Sequence, residues 1–397
     1  MKYGFARRVH KLKSSAVRDL LKIINQGNII SFAGGLPDDG LFPLEAVENA
    51  FDKAFQSGKQ ALQYAETEGL APFREAIAER MAKNGIKSSI DDILVTTGSQ
   101  QAIDLFTRIM FDPGDVVLTE NPTYLAALQV FQSYEVDVKP VLSDEQGMIP
   151  EDLDNKVKKY NPKAIYVIPT FSNPTGKAWS HERREHLLEI AKKRNVIIFE
   201  DDPYGEIKFD DNETFVPIAA MDTEGTHVLY TSTFSKTVVP ALRTGWIKGP
   251  YQIIRMMAQA KQATDLHTNS LSQHALYHLL RDFDLDSHIK TLRKTYCSRM
   301  KIMKELLESI NMPGFSYIVP KGGMFFWVSM PDAINVTSLL DEAVKRGVAY
   351  VPGAPFYVDK PELNTLRLNY THSAPDKLKK GMEILTDVFS NTLTNAK

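Results

Sequence analysis

The residue of this chain best suited to chemistry is a lysine. Lys236 follows the run Leu229–Ser235, in which apolar residues give way to hydroxyl residues, and Arg243 comes seven positions later. Parallel sheets present ligand-binding groups at the carboxyl ends of their strands. A lysine there can form a Schiff base with an aldehyde, and a nearby arginine can hold a phosphate. A solvated lysine in a surface loop is the alternative, since lysines are mostly exposed.

Two further polar segments follow apolar runs. Ser99 and Gln100 come after Gly98, where a predicted strand turns into a predicted helix. The free N–H groups of a helix N-terminus and the Ser99 hydroxyl can bind phosphate, although a plain N-cap by Ser99, which needs no ligand, is favoured when the segment is taken by itself. Asn173 opens the segment Asn173–Gly176, a strong turn sequence, and its amide could also reach a ligand oxygen.

The acidic segment Glu200–Asp202 also follows an apolar run, and Tyr204 comes two positions after it. Three adjacent carboxylates repel one another unless a cation lies close to them. A protonated pyridine nitrogen would be such a cation, and the Tyr204 hydroxyl could then donate to a phenolate oxygen. An acidic loop in which Asp202 caps a turn is the alternative.

The elements that must position these residues are short apolar runs that alternate with amphipathic segments. The runs are continuous rather than alternating in polarity, which is typical of parallel strands buried on both faces. Amphipathic helices are predicted over Glu45–Phe55 and Glu182–Arg194. We therefore predict a layered α/β fold with strands at 93–96, 116–119, 164–168, 196–199, 228–230 and 245–247.

The pattern changes after residue 285, where a long charged helix is predicted over His288–Ile310. It is followed by predicted strands at 315–318, 323–328 and 365–369 and by a helix over 338–346. This predicts a smaller α+β domain. We place the large α/β domain at residues 46–285, and assign residues 1–45 and 286–397 to the small domain.

Composition argues against several classes of protein. A net charge of −2 gives no reason to expect a nucleic-acid partner, and Cys297, the single cysteine, excludes an intrachain disulfide. No apolar stretch is long enough to span a bilayer and no secretory signal is recognisable, so we expect a cytoplasmic protein. His274 and His278 lie one helical turn apart, but no glutamate follows the first and no Cys/His cluster accompanies them, so no metal site is expected.

Taken together, the strand-end segments resemble a known family, the pyridoxal-phosphate (PLP) aminotransferases of fold type I. Within it, the chain is similar to the branch that includes the 2-aminoadipate and kynurenine aminotransferases, with which it shares Phe32–Asp38, Leu62–Tyr64 and Arg367. The resemblance runs nearly end to end. It implies a large domain with a mostly parallel central sheet flanked by helices, plus a smaller α+β domain.

By this resemblance Lys236 forms the internal aldimine with pyridoxal 5'-phosphate and then shuttles the proton between the substrate α-carbon and C4′ of the cofactor. The shuttle requires a neutral amine, so burial and nearby positive charge must lower the pKa of Lys236. Asp201 pairs with the pyridine nitrogen, and Asn173 and Tyr204 bind the phenolic oxygen. The other implied cofactor contacts are the phosphate ligands Ser99, Gln100, Thr233, Ser235 and Arg243 and the ring-stacking Tyr124.

On the substrate side, Arg367 matches the arginine that clamps the α-carboxylate bidentately, and Asn173 shares that carboxylate. Arg18 aligns with an N-terminal arginine that would bind a second, distal carboxylate; a solvated arginine on a helix surface is the alternative. Tyr64 matches a residue donated across the dimer to the neighbouring subunit's phosphate, which implies a homodimer. The pocket wall would also include Gly34, Gly35, Leu36 and Leu266.

The resemblance thus implies a PLP-dependent aminotransferase. It would move an amino group between an L-amino acid (dicarboxylic, such as glutamate or 2-aminoadipate, and/or aromatic) and a 2-oxo acid. One alternative keeps the cofactor but makes the protein a β-lyase or a decarboxylase, and Arg367 as a carboxylate clamp argues against decarboxylation. The other is a non-catalytic, aminotransferase-like regulator, although only about thirty residues precede Phe32, too few for a winged DNA-binding domain.

Overall fold

The structure is a computed structural model that describes residues 3–6, 8–9 and 29–395, and side chains as far as residue 390. Its strands, in chain order, are β1 (Ile30–Ser31), β2 (Ile93–Thr96), β3 (Val116–Thr119), β4 (Asp137–Pro140), β5 (Ser143–Asp144), β6 (Gly147–Met148), β7 (Ala164–Val167), β8 (Ile197–Asp201), β9 (Val228–Thr233), β10 (Gly245–Lys248), β11 (Ser316–Ile318), β12 (Phe325–Ser329), β13 (Val348–Ala349), β14 (Val351–Pro352) and β15 (Thr365–Asn369).

The helices alternate with these strands along most of the chain. In order they are α1 (Leu44–Gln56), α2 (Ala71–Ala82), α3 (Ser99–Met110), α4 (Leu125–Ser133), α5 (Pro150–Tyr160), α6 (His181–Arg194), α7 (Ile218–Met221), α8 (Tyr251–Gln262), α9 (Ser270–Asp282), α10 (Leu285–Glu308), α11 (Val336–Lys345) and α12 (Pro375–Asn395). The predicted helices over 45–55, 182–194, 288–310 and 338–346 are therefore confirmed with small shifts of their ends.

The central sheet has seven strands in the order β2-β10-β9-β8-β7-β3-β4. The pairs from β9 through β8, β7 and β3 to β4 are parallel, and β10 runs antiparallel to both of its neighbours, so the sheet is mixed. All six predicted strands of this region are present. The prediction missed the edge strand β4, whose sequence Asp-Val-Lys-Pro has no continuous apolar run.

Helices cover both faces of this sheet. Adjacent residues of one strand enter different apolar clusters: Val95 packs with residues of α1, α2, α5, α6 and α9, whereas Leu94 packs with residues of α3, α4 and α8. The same alternation separates Trp246 from Ile247. Strand side chains point to opposite faces in turn, so a strand covered on both sides is expected to carry apolar residues at successive positions, as the runs in this sequence do.

The C-terminal part forms a second sheet with the order β11-β12-β15-β14, against which α10, α11 and α12 bury apolar side chains in a separate cluster. The N-terminal segment joins this part of the molecule, because β1 pairs in parallel with β13 and Phe32 lies in the same cluster. The division into residues 46–285 and residues 1–45 with 286–397 stays a prediction, and these separate clusters support it.

Membrane-spanning helices and metal clusters are both absent from the described residues. No helix among them combines the length and apolar character needed to cross a membrane. In the same part of the chain, no group of three or more His, Cys, Asp or Glu side chains is placed to hold a metal ion. The contacts of His278 include Asp282 one turn later, at 3.8 Å.

Candidate active site

The predicted site residues meet in a cavity of about 300 Å³ at the carboxyl ends of β8 and β9. Parallel strands β7, β8 and β9 bring their ends to one edge of the sheet, as expected for an α/β fold. The predicted cofactor and substrate residues that line this cavity are Gly35, Ser99, Gln100, Tyr124, Asn173, Asp201, Tyr204, Thr233, Ser235, Lys236, Arg243 and Arg367.

Lys236 lies three residues beyond the end of β9, and its Nζ donates to the carbonyl oxygen of Gly35 at 2.6 Å. Burial, followed by the positive charges of Arg367 and Arg243, lowers the pKa of Lys236 to about 8 from its ordinary 10.5. Among the described residues no carboxylate lies within ion-pair distance of this amine. The shift has the direction expected from sequence, and it makes a neutral amine accessible near neutral pH.

The three carboxylates of the acidic segment at the end of β8 do not all face the cavity. Asp201 lines the cavity, where its Oδ2 accepts from the Tyr166 hydroxyl at 2.8 Å. Its Oδ1 is buried and has no partner among the described residues. Burial, opposed by the Tyr166 bond and reinforced by the neighbouring Asp202, raises the pKa of Asp201 to about 7. A carboxylate in this position calls for a cation or a proton.

The two flanking carboxylates, Glu200 and Asp202, find their hydrogen-bond donors away from Lys236. Glu200 accepts from the N–H groups of Ile218 and Ala219, both at 2.9 Å, at the start of α7. Asp202 accepts from the Tyr230 hydroxyl at 2.9 Å and from the Gly205 N–H at 2.9 Å. Side chains alternate in direction along a strand, so only the middle one of three consecutive carboxylates, Asp201, faces the cavity.

A second group of side chains forms a polar cradle at the start of α3. The Thr233 and Ser235 hydroxyls lie 3.0 Å apart, and Arg243 Nη1 donates to Ser235 Oγ at 3.4 Å. Gly98, at φ +74°, precedes the first turn of α3, where N–H groups lack partners within the helix. A Cβ at Gly98 would lie 2.9 Å from Arg243 Nη2, so glycine lets the guanidinium approach this turn.

Arg367 is 3% exposed and lies in the middle of β15. Its Nη1 donates to Asn173 Oδ1 and its Nη2 donates to the Ala33 carbonyl oxygen, both at 2.6 Å. The guanidinium carbon lies 4.2 Å from the ring centre of Phe325 and 5.2 Å from that of Phe356. Burial lowers its pKa to about 10, and its Nε is buried without a partner among the described residues. A buried cation of this kind calls for an anion.

Two tyrosines complete the wall. The Tyr124 hydroxyl donates to Gln100 Oε1 at 3.4 Å, and Asn173 Nδ2 donates to the Tyr204 hydroxyl at 3.5 Å. Burial raises the pKa of Tyr124 to about 12 and raises that of Tyr204 as well. Both phenols are therefore neutral donors at physiological pH.

Residues 28–385 match the family described as aminotransferase class I and II. The chain belongs to this family. It is 39% identical to aromatic-amino-acid aminotransferase 1 of Thermococcus litoralis, over 98% of this chain and 94% of that protein. The fold matches a crystal structure of Pyrococcus horikoshii kynurenine aminotransferase with a TM-score of 0.92 at 40% identity, covering 98% of this chain and 97% of that chain.

A third relative is the alpha-aminoadipate aminotransferase of Thermus thermophilus, solved in complex with N-(5'-phosphopyridoxyl)-L-leucine. The match has a TM-score of 0.92 at 32% identity and covers 98% of both chains. The fold is therefore that of the fold type I aminotransferases, and the protein is a PLP-dependent enzyme that acts on amino acids and 2-oxo acids. These three relatives are aminotransferases, which favours that function over the β-lyase and regulator alternatives.

Three observations of this aminotransferase fit pyridoxal phosphate. Asp201 Oδ1 lacks a partner where a ring cation could meet it, and Lys236 is an amine without a carboxylate partner in the described part of the chain. The cradle of Thr233, Ser235 and Arg243 offers hydroxyl and guanidinium donors beside a helix N-terminus, which suits a phosphate.

Four described residues named from sequence lie outside this cavity. Tyr64 is 78% exposed, and its ring makes an edge contact with His267 at 5.8 Å. Leu36 and Leu266 are also exposed, whereas Gly34 is buried. Arg18 lies outside the described residues, so its predicted role stays untested.

Sequence reasoning missed several residues of the aminotransferase site. Tyr166 binds Asp201, and the only signal for it was a hydroxyl within an otherwise apolar strand. Phe325 and Phe356 flank Arg367 from segments more than ten residues away, so no local pattern marks them. Leu125, Ala126, Ile168 and Pro240 also line the cavity.

Proposed function

We propose that this aminotransferase transfers amino groups from dicarboxylic and aromatic L-amino acids to 2-oxo acids, with Lys236 as the acid–base group. The observation that carries the proposal is the arrangement of Arg367. Its buried guanidinium keeps one free donor, lines the cavity that also holds the Lys236 amine, and has no carboxylate partner among the described residues.

The α-carboxylate of the substrate is the anion that Arg367 would bind, with Asn173 as its neighbour. Such a clamp fixes the α-carbon at one place, which orients it toward Lys236. The rings of Phe325 and Phe356 keep water away from the guanidinium, so the interaction is strengthened by the low local polarity.

Pyridoxal phosphate, when bound, supplies an aldehyde and an electron-accepting ring. Lys236 Nζ would hold the cofactor and then take a proton from the substrate α-carbon and return it. A pKa of about 8 suits both steps, because the amine exchanges protons near the working pH. Its Gly35 hydrogen bond orients the amine in the absence of substrate.

Asp201 would hold the proton of the ring nitrogen, with Tyr166 fixing the carboxylate. Thr233, Ser235, Arg243 and the first turn of α3, with Ser99 and Gln100, would bind the phosphate. We assign ring stacking to Tyr124, and contacts to the phenolic oxygen to Asn173 and Tyr204. These roles follow from the resemblance and from the positions of the residues around the cavity.

The substrate class rests on the relatives. Their names include an aromatic-amino-acid, a kynurenine and an alpha-aminoadipate aminotransferase. We propose glutamate and 2-oxoglutarate as an amino donor and acceptor pair, and Arg18 as the residue that would bind a distal carboxylate. A homodimer in which Tyr64 reaches the partner's phosphate site, and a cytoplasmic location, are parts of the same proposal.

The test is the absorbance of the purified protein reconstituted with pyridoxal phosphate, before and after addition of glutamate, with 2-oxoglutarate assayed in parallel. We expect the visible band to bleach and one keto acid to form per site. Alanine serves as the matched donor without a distal carboxylate. A band that persists with glutamate, phenylalanine and 2-aminoadipate alike would contradict the proposal.

A further inference from the structure

A second cavity lies at the ends of β9 and β10 that point away from Lys236. Its volume is about 640 Å³, within the range of small-molecule sites. Its wall consists of the turn after α2, the loop 222–226 before β9, and the start of α8. β10 runs from Gly245, which is close to Gly98, to Lys248 on the wall of this second cavity.

The wall includes Lys248, a lysine that is only 5% exposed. Within the described part of the chain, its ammonium group forms no ion pair and no hydrogen bond. Its backbone is paired with Ile93 on one side and with Tyr230 on the other, so the side chain is held at this place by two neighbouring strands. The side chain is buried along its length while its ammonium nitrogen keeps accessible surface at the cavity, where it can meet an anion.

The start of α8 adds donors to the same wall. The helix has twelve residues and begins at Tyr251, directly after Pro250, which has no N–H group. The N–H groups of Ile253 and Ile254 both bond to the Pro250 carbonyl oxygen. Those of Tyr251 and Gln252 have no partner within the described residues, and a helix N-terminus favours a negative charge.

The carboxylates of the wall are engaged elsewhere or lie in solvent. Asp222 Oδ2 accepts from the N–H groups of His227 and Val228, and its Oδ1 lies 3.5 Å from Lys192 Nζ. Asp92 accepts from the Ser89 N–H and hydroxyl, both at 3.0 Å. Glu224 is exposed, as is Lys87 on the rim. These carboxylates repel a ligand that carries several negative charges. Lys248 can therefore balance one negative charge of a ligand.

We propose that this cavity binds a small organic molecule through one carboxylate, held by the Lys248 ammonium and the N-terminus of α8. The wall has two lysines, of which Lys87 is exposed at the rim, beside three carboxylates, so Lys248 suits a monoanion better than a phosphate ester. The site is separate from the cavity of Lys236, and the inference does not rest on the proposed function.

The test uses trifluoroacetate, a one-carboxylate probe, with the holoenzyme and fluorine NMR. The parent is Arg367→Gln, which removes the other expected carboxylate site. We expect saturable binding to this parent, and a loss of about tenfold or more in affinity when Lys248→Met is added, because a charge-assisted hydrogen bond is lost. Lys248→Arg should restore binding to within about threefold, and Lys87→Met, an exposed lysine of the same rim, should change it by less than about threefold.

Three results would overturn the proposal: no saturable binding to the Arg367→Gln parent, equal binding after Lys248→Met, or an equal loss in Lys87→Met. Inorganic phosphate binding more tightly than trifluoroacetate would refute the single-charge argument. Circular dichroism of each variant shows that it is folded, and Lys248→Met keeps the apolar length of the side chain, so a loss of binding can be assigned to the charge.

Discussion

Two buried lysines on neighbouring parts of the molecule differ in their partners. Lys236 faces the cations Arg367 and Arg243, and its pKa is lowered to about 8 by burial and by both charges. Lys261 in α8 is 0% exposed and pairs with Asp265 at 2.8 Å. Burial lowers the pKa of Lys261 too, but Asp265 opposes the shift. Burial is the largest cause of both shifts, and the neighbouring charges add to it at Lys236 and oppose it at Lys261.

The pair at Lys261 also has a structural task beside the active site. Lys261 Nζ donates to Gln101 Oε1 at 2.7 Å, and the same oxygen accepts from the Thr97 N–H at 2.8 Å. Gln101 Nε2 in turn donates to Asp265 at 2.7 Å. This network fixes the turn that leads into α3, where Ser99 and Gln100 lie. In the proposed function Lys236 serves proton transfer, whereas Lys261 holds the turn beside the proposed phosphate site.

The largest expected effect is that of Lys236→Ala. Without the amine, no group of the site can move the α-proton, so kcat should fall by at least about 10³-fold. The measurement is steady-state turnover with saturating 2-aminoadipate as donor and 2-oxoglutarate as acceptor, with cofactor content checked by absorbance after denaturation. Lys193→Ala, a change of an exposed lysine in α6, is the matched control. Retention of normal turnover in Lys236→Ala would contradict the contrast drawn between the two lysines.

The next effect concerns stability. Asp265→Asn leaves Lys261 buried without its counter-charge and should cost about 3 kcal/mol of unfolding free energy, the lower end for loss of one partner of a buried pair. Lys261→Met should cost less, about 1–2 kcal/mol, because Asp265 is partly exposed and can be hydrated. Urea unfolding of the cofactor-free protein measures both. Equal costs, or a double variant that loses the full sum, would refute the pairing argument.

The sequence was sufficient to predict the strands and the residues that lie at their ends. Continuous apolar runs marked β2, β3, β7, β8, β9 and β10, because strands buried on both faces are mostly apolar. Polar residues directly after such runs then had to meet at one edge. Asp201, Asn173 and Lys236 are brought together in this way, and all line one cavity.

The direction of individual strands and the contacts between residues far apart in the chain could not be predicted from the sequence. The run that forms β10 looks like the runs that form the parallel strands of the sheet. Its antiparallel direction follows from the short connection between β9 and β10, which the apolar pattern does not reveal. Lys261 and Asp265 look like a surface helix pair one turn apart, and their burial depends on the packing of α8 against Gln101. The neighbours that lower the pKa of Lys236 come from 7 and 131 positions away, so the pKa could be argued only through the resemblance.

A third prediction removes one cation from beside Lys236. Arg367→Gln should raise the pKa of Lys236, since a nearby positive charge disfavours the ammonium. The measurement is the pH dependence of labelling of Lys236 by an amine-reactive reagent in the cofactor-free protein, read by mass spectrometry. Lys261 in the same sample is the internal reference, because Arg367 is not among the groups acting on it. An unchanged or lower midpoint for Lys236 would show that burial alone sets its pKa.

The last prediction concerns the pH dependence of stability. In the cofactor-free protein the folded pKa of Lys236 is about 8 and the ordinary value is 10.5, so between these values the unfolded chain holds a proton that the folded chain has released. Stability rises with pH wherever the unfolded state binds more protons. The unfolding free energy of the wild type, measured relative to Lys236→Met, should therefore increase from about pH 8 to about pH 10.5. Lys236→Gln should give the same trend, because neither replacement titrates. A difference that stays constant or shrinks over this range would mean that the amine is charged in the folded protein, and the contrast with Lys261 would be lost.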